Sequence, residues 1–212
     1  MQKIISFSLW GDSAKYGVGA IRNAQLAQKY FPDWKCVFYY DSSVPGIYIS
    51  ALNGFNNVET IQITDGTYGA FWRLFQIQKN SITLIRDTDS RLSEREKNIV
   101  NDWLSTNRKV CIIRDHIRHY DFPILTGMFG IKGELPEQAY EDMKKHWKNF
   151  SYASEQIWLG NTIFRLLPEE CEVYGIKEKL WMRETYSALG KDFIGQAYDE
   201  NDNGIYEGQL ND

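Results

Sequence analysis

The chain has 212 residues, of which 43% are hydrophobic and 25% charged, and carries a formal net charge of −4. This length and balance suit one soluble globular domain with a sizeable core, and the acidic charge lacks the basic footprint of a nucleic-acid binder. No run approaches the ~18 apolar residues of a membrane span, and the opening stretch, Met1 to Trp10, is too short and polar for a secretory leader.

Three cysteines, Cys36, Cys111 and Cys171, are widely spread and form no Cys-x-x-Cys pair. They argue against a structural zinc site and for a reducing, cytoplasmic compartment. The sequon Asn149-Phe150-Ser151 carries no weight without a leader. Aromatic residues make up 15% of the chain. A large core accounts for most of them, and the excess supports a carbohydrate ligand, which offers an apolar ring face.

Strands and helices alternate from the start. Ile4 to Leu9 reads as a buried parallel strand, followed by a loop over Trp10 to Ser13 and a helix from Ala14 to Tyr30 that Pro32 ends. Cys36 to Tyr40 is a second strand, and Asp41 to Gly46 a loop. Val58 to Ile63 is a third strand after the Asn53-Gly54 turn signal. Thr67 to Lys79 carries Tyr68, Phe71, Trp72 and Phe75 at helical spacing. Ile82 to Ile85 is strand four, and Ser93-x-x-Glu96 is a capping box that opens a helix to about Leu104. Val110 to Ile113 is strand five, and Ile124 to Ile131, interrupted by Gly127, a sixth. Pro136 opens a helix bearing Tyr140, Met143 and Trp147, and Ser154 caps another through about Phe164. After Leu189 the chain is a polar coil. The pattern predicts a single Rossmann-like α/β domain over 1–212, with a mixed, mainly parallel sheet and helices on both faces. A nucleotide-binding half over about 1–91 precedes an acceptor half over about 92–198 and a tail over 199–212.

The chemistry concentrates at strand ends. Asp87-Thr88-Asp89 follows strand four. Residues at i and i+2 of an extended chain point the same way, so Asp87 and Asp89 can share one hard cation where α/β sheets bind ligands. Asp89 is the expected direct ligand. A solvated loop rich in turn formers is the alternative. Arg86 and Arg91 beside them reach phosphate oxygens or pair on the surface. Trp10, Gly11 and Tyr16, with the glycines Gly17 and Gly19, belong to a loop and helix start that can meet a nucleotide. Arg22 one turn further can reach a phosphate, Asp41 a base or ribose, and Arg73, between Trp72 and Leu74, can face the ligand. Arg114-Asp115-His116 ends strand five. Asp115 or His116 can handle a proton, and His116 with His119 can bind a metal; a polar surface loop is the alternative. Gly127-Met128-Phe129-Gly130 places small residues inside an apolar run, where a ligand or another backbone can come close; a bulge is the alternative. Glu155, in the first turn of a helix, can take a proton from an attacking hydroxyl, although the helix dipole there lowers its pKa.

These stretches together resemble the GT-A glycosyltransferases, nucleotide-sugar-dependent enzymes with a DXD motif. Phe7-Ser-Leu-Trp-Gly11 resembles their first strand and nucleotide loop, and Asp87-Thr88-Asp89 falls where the DXD does. Arg114-Asp-His116 with Ile124-Leu-Thr-Gly-Met-Phe-Gly130 resembles the "RDH … GGMWG" pattern of small bacterial and virus-encoded members, and Ser154-Glu-Gln156 the "DQ-x-x-L" helix start. The resemblance spans roughly residues 3 to 198. It implies a GT-A fold and transfer of a sugar from a UDP-sugar donor to a hydroxyl of a glycan or glycoprotein acceptor. It also implies Mn²⁺ or Mg²⁺ at Asp87 and Asp89, and an inverting reaction with Glu155 as base. The chain is compatible with one domain of a longer transferase. No histidine follows His146 to serve as the C-terminal metal ligand of several retaining families, and Asp192 is the substitute at hand. Three other function classes fit part of the pattern. A sugar-nucleotide pyrophosphorylase shares the sheet logic, but its Gly-rich, Arg- and Lys-containing N-terminal signature is absent. A haloacid-dehalogenase-type phosphatase also uses Asp-x-Asp after a strand, but near the start of its domain. A carbohydrate-binding module explains the aromatics but not paired carboxylates.

Overall fold

The computed structural model describes residues 1–146, 153–165, 167–175 and 193–205. Trp147, the Asn149 sequon and Asp192 lie outside the described residues. Among those described, the strands are β1 (Gln2–Leu9), β2 (Lys35–Tyr40), β3 (Val58–Gln62), β4 (Ser81–Arg86), β5 (Val110–Arg114), β6 (Met128–Lys132) and β7 (Cys171–Gly175). They form one sheet in the order β3-β2-β1-β4-β6-β5-β7. The first four strands are parallel to one another, and β7 is parallel to β5. Only β6 runs against its neighbours, β4 and β5. The sheet is therefore mixed and mainly parallel, as the alternating pattern predicts.

Six α-helices among the described residues cover it: α1 (Ala14–Tyr30), α2 (Gly46–Leu52), α3 (Gly69–Trp72), α4 (Glu94–Ser105), α5 (Glu137–His146) and α6 (Ser154–Leu159). Side chains alternate along each strand. Ile5, Phe7 and Leu9 of β1 join Ala20, Ala24 and Ala27 of α1 and Ile99, Val100 and Trp103 of α4 on one face. On the other, Ile85, Ile112 and Phe129 pack with Phe71 of α3, Met143 of α5 and Trp158 of α6. Several elements differ from the sequence pattern. Gly46–Leu52 is a helix where periodicity gave no signal, and β7 is a further strand. The Thr67–Lys79 helix shrinks to α3 and a 3₁₀ turn over Arg73–Gln76. Ala153, in the left-handed region, caps α6, and Ser154 is already helical.

Arg86, the last residue of β4, leaves no charge at the sheet surface. Its neighbours Leu84 and Ile85 alternate between the two faces, so Arg86 falls beneath α4 and is 1% exposed. Its Nε donates to Glu96, and its Nη1 to the carbonyls of Ile85 (2.7 Å) and Phe129 (3.1 Å). Ser93 does accept the Glu96 N–H at 3.2 Å, but the Glu96 side chain turns to Arg86 and leaves the capping box half made. Burial pushes the Glu96 carboxyl above its usual range, and Arg86 opposes that shift. Gly130 is small for a structural reason: a Cβ there would sit 2.7 Å from Leu84 and 3.2 Å from the Trp103 ring.

Breaking a buried ion pair by removing one partner strands the other charge. Glu96→Ala should cost about 3–5 kcal/mol of stability in urea unfolding, while Arg86→Met/Glu96→Leu loses far less. Equal losses in the two would show that the pair is not what holds α4 to the sheet.

A candidate active-site cleft at the end of the central strands

The register places β4 so that Arg86 lies opposite Phe7, while β1 runs on to Leu9. The Asp87–Asp89 segment therefore emerges beside the last turn of β1. A cleft of about 290 Å³ opens there, lined by Ser8, Leu9, Trp10, Tyr16, Arg73, Asp87, Thr88 and Asp89. Trp10 is 41% exposed and forms one wall. It packs edge-on to Trp72 with ring centroids 6.1 Å apart, and it needs Gly69 beneath it, where a Cβ would meet the indole at 2.6 Å.

Helix α1 fixes the floor. Lys15, Gly19 and Asn23 are four residues apart and share one helix face. Lys15 Nζ pairs with Asp89 Oδ2 at 2.8 Å. At Gly19 the helix comes so close that a Cβ would strike the Thr88 carbonyl. Fully buried Asn23 donates to the carbonyls of Thr88 (3.1 Å) and Ser90 (2.8 Å) and accepts the Leu92 N–H at 3.0 Å. The other two carbonyls of the segment are also taken. Ser90 Oγ donates to Asp87 at 2.9 Å, and the Tyr198 N–H to Asp89 at 2.9 Å. The backbone that carries both aspartates is thus tied residue by residue.

The two carboxylates sit differently. Asp87 is half-exposed; its Oδ1 accepts from Arg73, and its Oδ2 lies against Gly127, where a side chain would collide with it. Antiparallel β6 creates this contact, because it brings its own beginning, and not its end, to the end of β4. Arg73 is buried and held by its N–H to Ser8 Oγ (3.0 Å) and by Nη1 to the Arg86 carbonyl (3.2 Å). Burial, and then the neighbouring Asp87, raise the Asp89 carboxyl, opposed by Lys15. Glu155 is 6% exposed at the start of α6. Burial raises its pKa, its own backbone bond and Arg73 lower it, and Asp87 raises it again. Its Oε2 has no hydrogen-bond partner. His119, whose buried Nδ1 is likewise unpartnered, is pushed down to about 3 by burial and by His116, so its imidazole is neutral.

Trp10, Tyr16, Arg73, Asp87 and Asp89 therefore meet as expected from sequence. Other positions do not face the cleft. Gly11 and Asp41 are tied together by Ser43, whose Oγ accepts the Gly11 N–H at 2.7 Å and donates to Asp41. Arg22 turns away to Asp202 at 2.9 Å. Arg86 is beneath the sheet. Gly17 makes room for the Tyr48 ring, 2.5 Å from where its Cβ would be, so both α1 glycines serve close packing. Asp115 is 0% exposed; it pairs with Arg95 at 2.5 Å and accepts the Ile194 N–H at 2.9 Å. His116 accepts the Arg118 N–H at 3.3 Å and is covered by the Phe193 ring, 4.3 Å away. Met128 is buried against Gly195. Asp115, His116 and Met128 thus hold the segment 193–205 across the strand ends. Among the described residues no three His, Cys, Asp or Glu side chains converge to form a metal cage.

No protein-family model and no curated protein sequence matches the chain. Solved structures do. A 4-diphosphocytidyl-2C-methyl-D-erythritol synthase from Anaerococcus prevotii superposes with a TM-score of 0.51 at 12% identity, over 82% of this chain and 89% of that one. The fold is GT-A-like. Residues 1–349 of TarS from S. aureus match with a TM-score of 0.41 at 13% identity, over 54% of this chain and 35% of that one. A glycosyltransferase involved in glycosylation of the major capsid of PBCV-1 matches at 0.45 and 15%, over 83% and 82%. The chain thus spans about a third of the TarS structure and most of the other two.

Lys15 and Asn23 were not singled out by the sequence reading. A signal exists for Asn23, a polar residue inside the apolar stripe Ala20, Ala24 and Ala27, but nothing local says which loop it meets. Two outcomes follow from the geometry. Gly127→Ala should lower stability by about 1–3 kcal/mol, the usual cost of overpacking, and a wild-type urea midpoint would refute the contact with Asp87. Asp115 is pushed up to about 6 by burial, against the pull of the Ile194 N–H and Arg95. An unfolded Asp titrates near ~4, so between these values the folded state holds the extra proton and stability falls as pH rises. Asp115→Asn should flatten that slope in unfolding curves recorded across the interval.

Proposed function

We propose that the chain is a glycosyltransferase that moves a sugar from a UDP-sugar to an acceptor hydroxyl of a glycan or glycoprotein, with inversion and with Mn²⁺ or Mg²⁺ held at Asp87 and Asp89. The observation that carries this reading is the rigid Asp87–Asp89 segment, presented beside an exposed tryptophan and two cationic side chains at the end of the central strands. The donor set suits a hard cation that keeps waters and takes phosphate oxygens, since one or two carboxylates suffice for it. Asp89 is raised in part by Asp87, so two carboxylates compete for charge at the cleft, and a divalent cation relieves that competition. What such a cation supplies is neutralisation of charge on the leaving diphosphate.

The chain's own residues account for the rest. Trp10 and Tyr16 offer ring faces to the base or sugar. Arg73, desolvated and tied by its backbone to Ser8, orients Asp87 and adds positive charge where the diphosphate lies. Lys15 holds Asp89 in place and can pass to a phosphate oxygen. Glu155 is the proposed acceptor of the proton of the acceptor hydroxyl, a role supported by its unpartnered carboxylate oxygen and a pKa raised by burial. Raising that pKa makes the carboxylate a stronger base than an exposed glutamate, which offsets the effect of the helix start.

Calorimetry with UDP, with and without Mn²⁺, tests the reading. Binding should require the metal, and Asp89→Asn should abolish it. UDP-independent sugar binding would point to a carbohydrate-binding module, and phosphate release from a simple phosphoester to a phosphatase. Glu155→Gln should leave UDP affinity near wild type while lowering transfer by about 10²-fold or more. Full turnover in that variant would remove Glu155 from the base role.

A further inference from the structure

A second cavity, of about 730 Å³, lies along the other half of α1. Among the described residues, its charged lining comprises Arg22 and Lys29 from α1, Arg91 from the segment after the aspartates, Arg95 from the first turn of α4, and Asp202. Among the described residues the lining sets four cations against Asp202, with the buried Asp115 behind Arg95 as a second acid, a net positive patch in a chain of net charge −4. Leu26 and Leu92 form apolar floor, and Tyr30 and Tyr198 line the cavity beside Lys29 and Arg91. The arginines are held in place by the fold. Arg95 is anchored to buried Asp115 at 2.5 Å, and Arg91 donates to the carbonyls of Ser90 (3.0 Å) and Asp89 (3.3 Å). Asp202 lies between Arg22 (2.9 Å) and Arg91 (3.0 Å) while its own side chain is 41% exposed. Its carboxylate marks where an anion is stabilised, and it is accessible enough to be displaced.

We propose that this cavity is a binding site for a soluble ligand carrying several phosphate groups, separate from the donor cleft and independent of the transferase reading. Guanidinium groups match phosphate oxygens two bonds at a time, and their spread around the cavity favours several charges over one. The recessed position of Arg91, 10% exposed, favours a slender ligand over a flat bilayer. Because Arg91 bonds the Asp89 carbonyl, a ligand there sits one residue pair away from the segment that carries both aspartates.

Inorganic tripolyphosphate is a suitable probe, titrated calorimetrically into the full chain at low salt with a chelator present. One site is expected, weakening with added salt and unaffected by excess UDP. Arg22→Glu/Lys29→Glu, on the exposed face of α1, should weaken binding by about tenfold or more, equivalent to about 1.4 kcal/mol. Asp202→Asn should tighten it. No binding by the wild type, equal affinity in all three proteins, or displacement by UDP would each overturn the proposal. So would co-sedimentation with phosphatidylglycerol vesicles in the absence of tripolyphosphate binding, which would assign the cations to a membrane surface.

Discussion

The closeness of α1 to the segment after β4 is the constraint on which the cleft depends. Gly19 allows the helix to touch the Thr88 carbonyl, and that contact brings Asn23 within reach of three backbone groups and Lys15 within reach of Asp89. A buried carbonyl without a partner costs about 1–3 kcal/mol, so a segment with four carbonyls at the sheet end must be satisfied somewhere. Here Asn23, Ser90 and the Tyr198 N–H do so. The same bonds that satisfy the backbone also fix both carboxylates, and stability and site geometry share one cause.

A second consequence comes from the direction of β6. Inserted antiparallel between β4 and β5, it sets Gly127 next to Asp87, where a parallel strand would have set its far end. The absence of a side chain at Gly127 lets the Asp87 carboxylate lie against the chain, and Arg73 closes it from the other side. Arg86 shows how finely strand alternation divides roles. One residue before Asp87, it points beneath α4 and makes a buried ion pair with Glu96, while its successor opens on solvent. Adjacent charges in sequence have unrelated surroundings because successive side chains leave a strand on opposite faces.

The segment 193–205 belongs to the same arrangement. Ile194 is bonded to Asp115, Phe193 covers His116, Gly195 packs on Met128 and Tyr198 bonds to Asp89. Asp115 and His116, read from sequence as proton-handling candidates, and Met128, read as a place of close approach, hold this segment over the strand ends. The acidity of Asp115 reflects that role: its carboxylate is raised to about 6 because it is buried as an anchor.

The sequence by itself determined the alternation of strands and helices, the mixed sheet and the position of Asp87 and Asp89 at a strand end. Those follow from local apolar runs, from period-two side-chain direction and from turn residues, all of which act within a few positions. It did not disclose α2 or β7, which carry no strong period, nor the shortening of the helix before β4. Tertiary structure alone decided which polar residues face the cleft. Arg73 and Asp87 meet there because β6 and α3 crowd them together, whereas Arg22 goes to Asp202 and Arg86 to Glu96. Lys15 and Asn23 gained their roles in the same way, from the close approach of α1 to the segment after β4. Such partners are set by long-range packing, and no window of sequence around either residue contains the other.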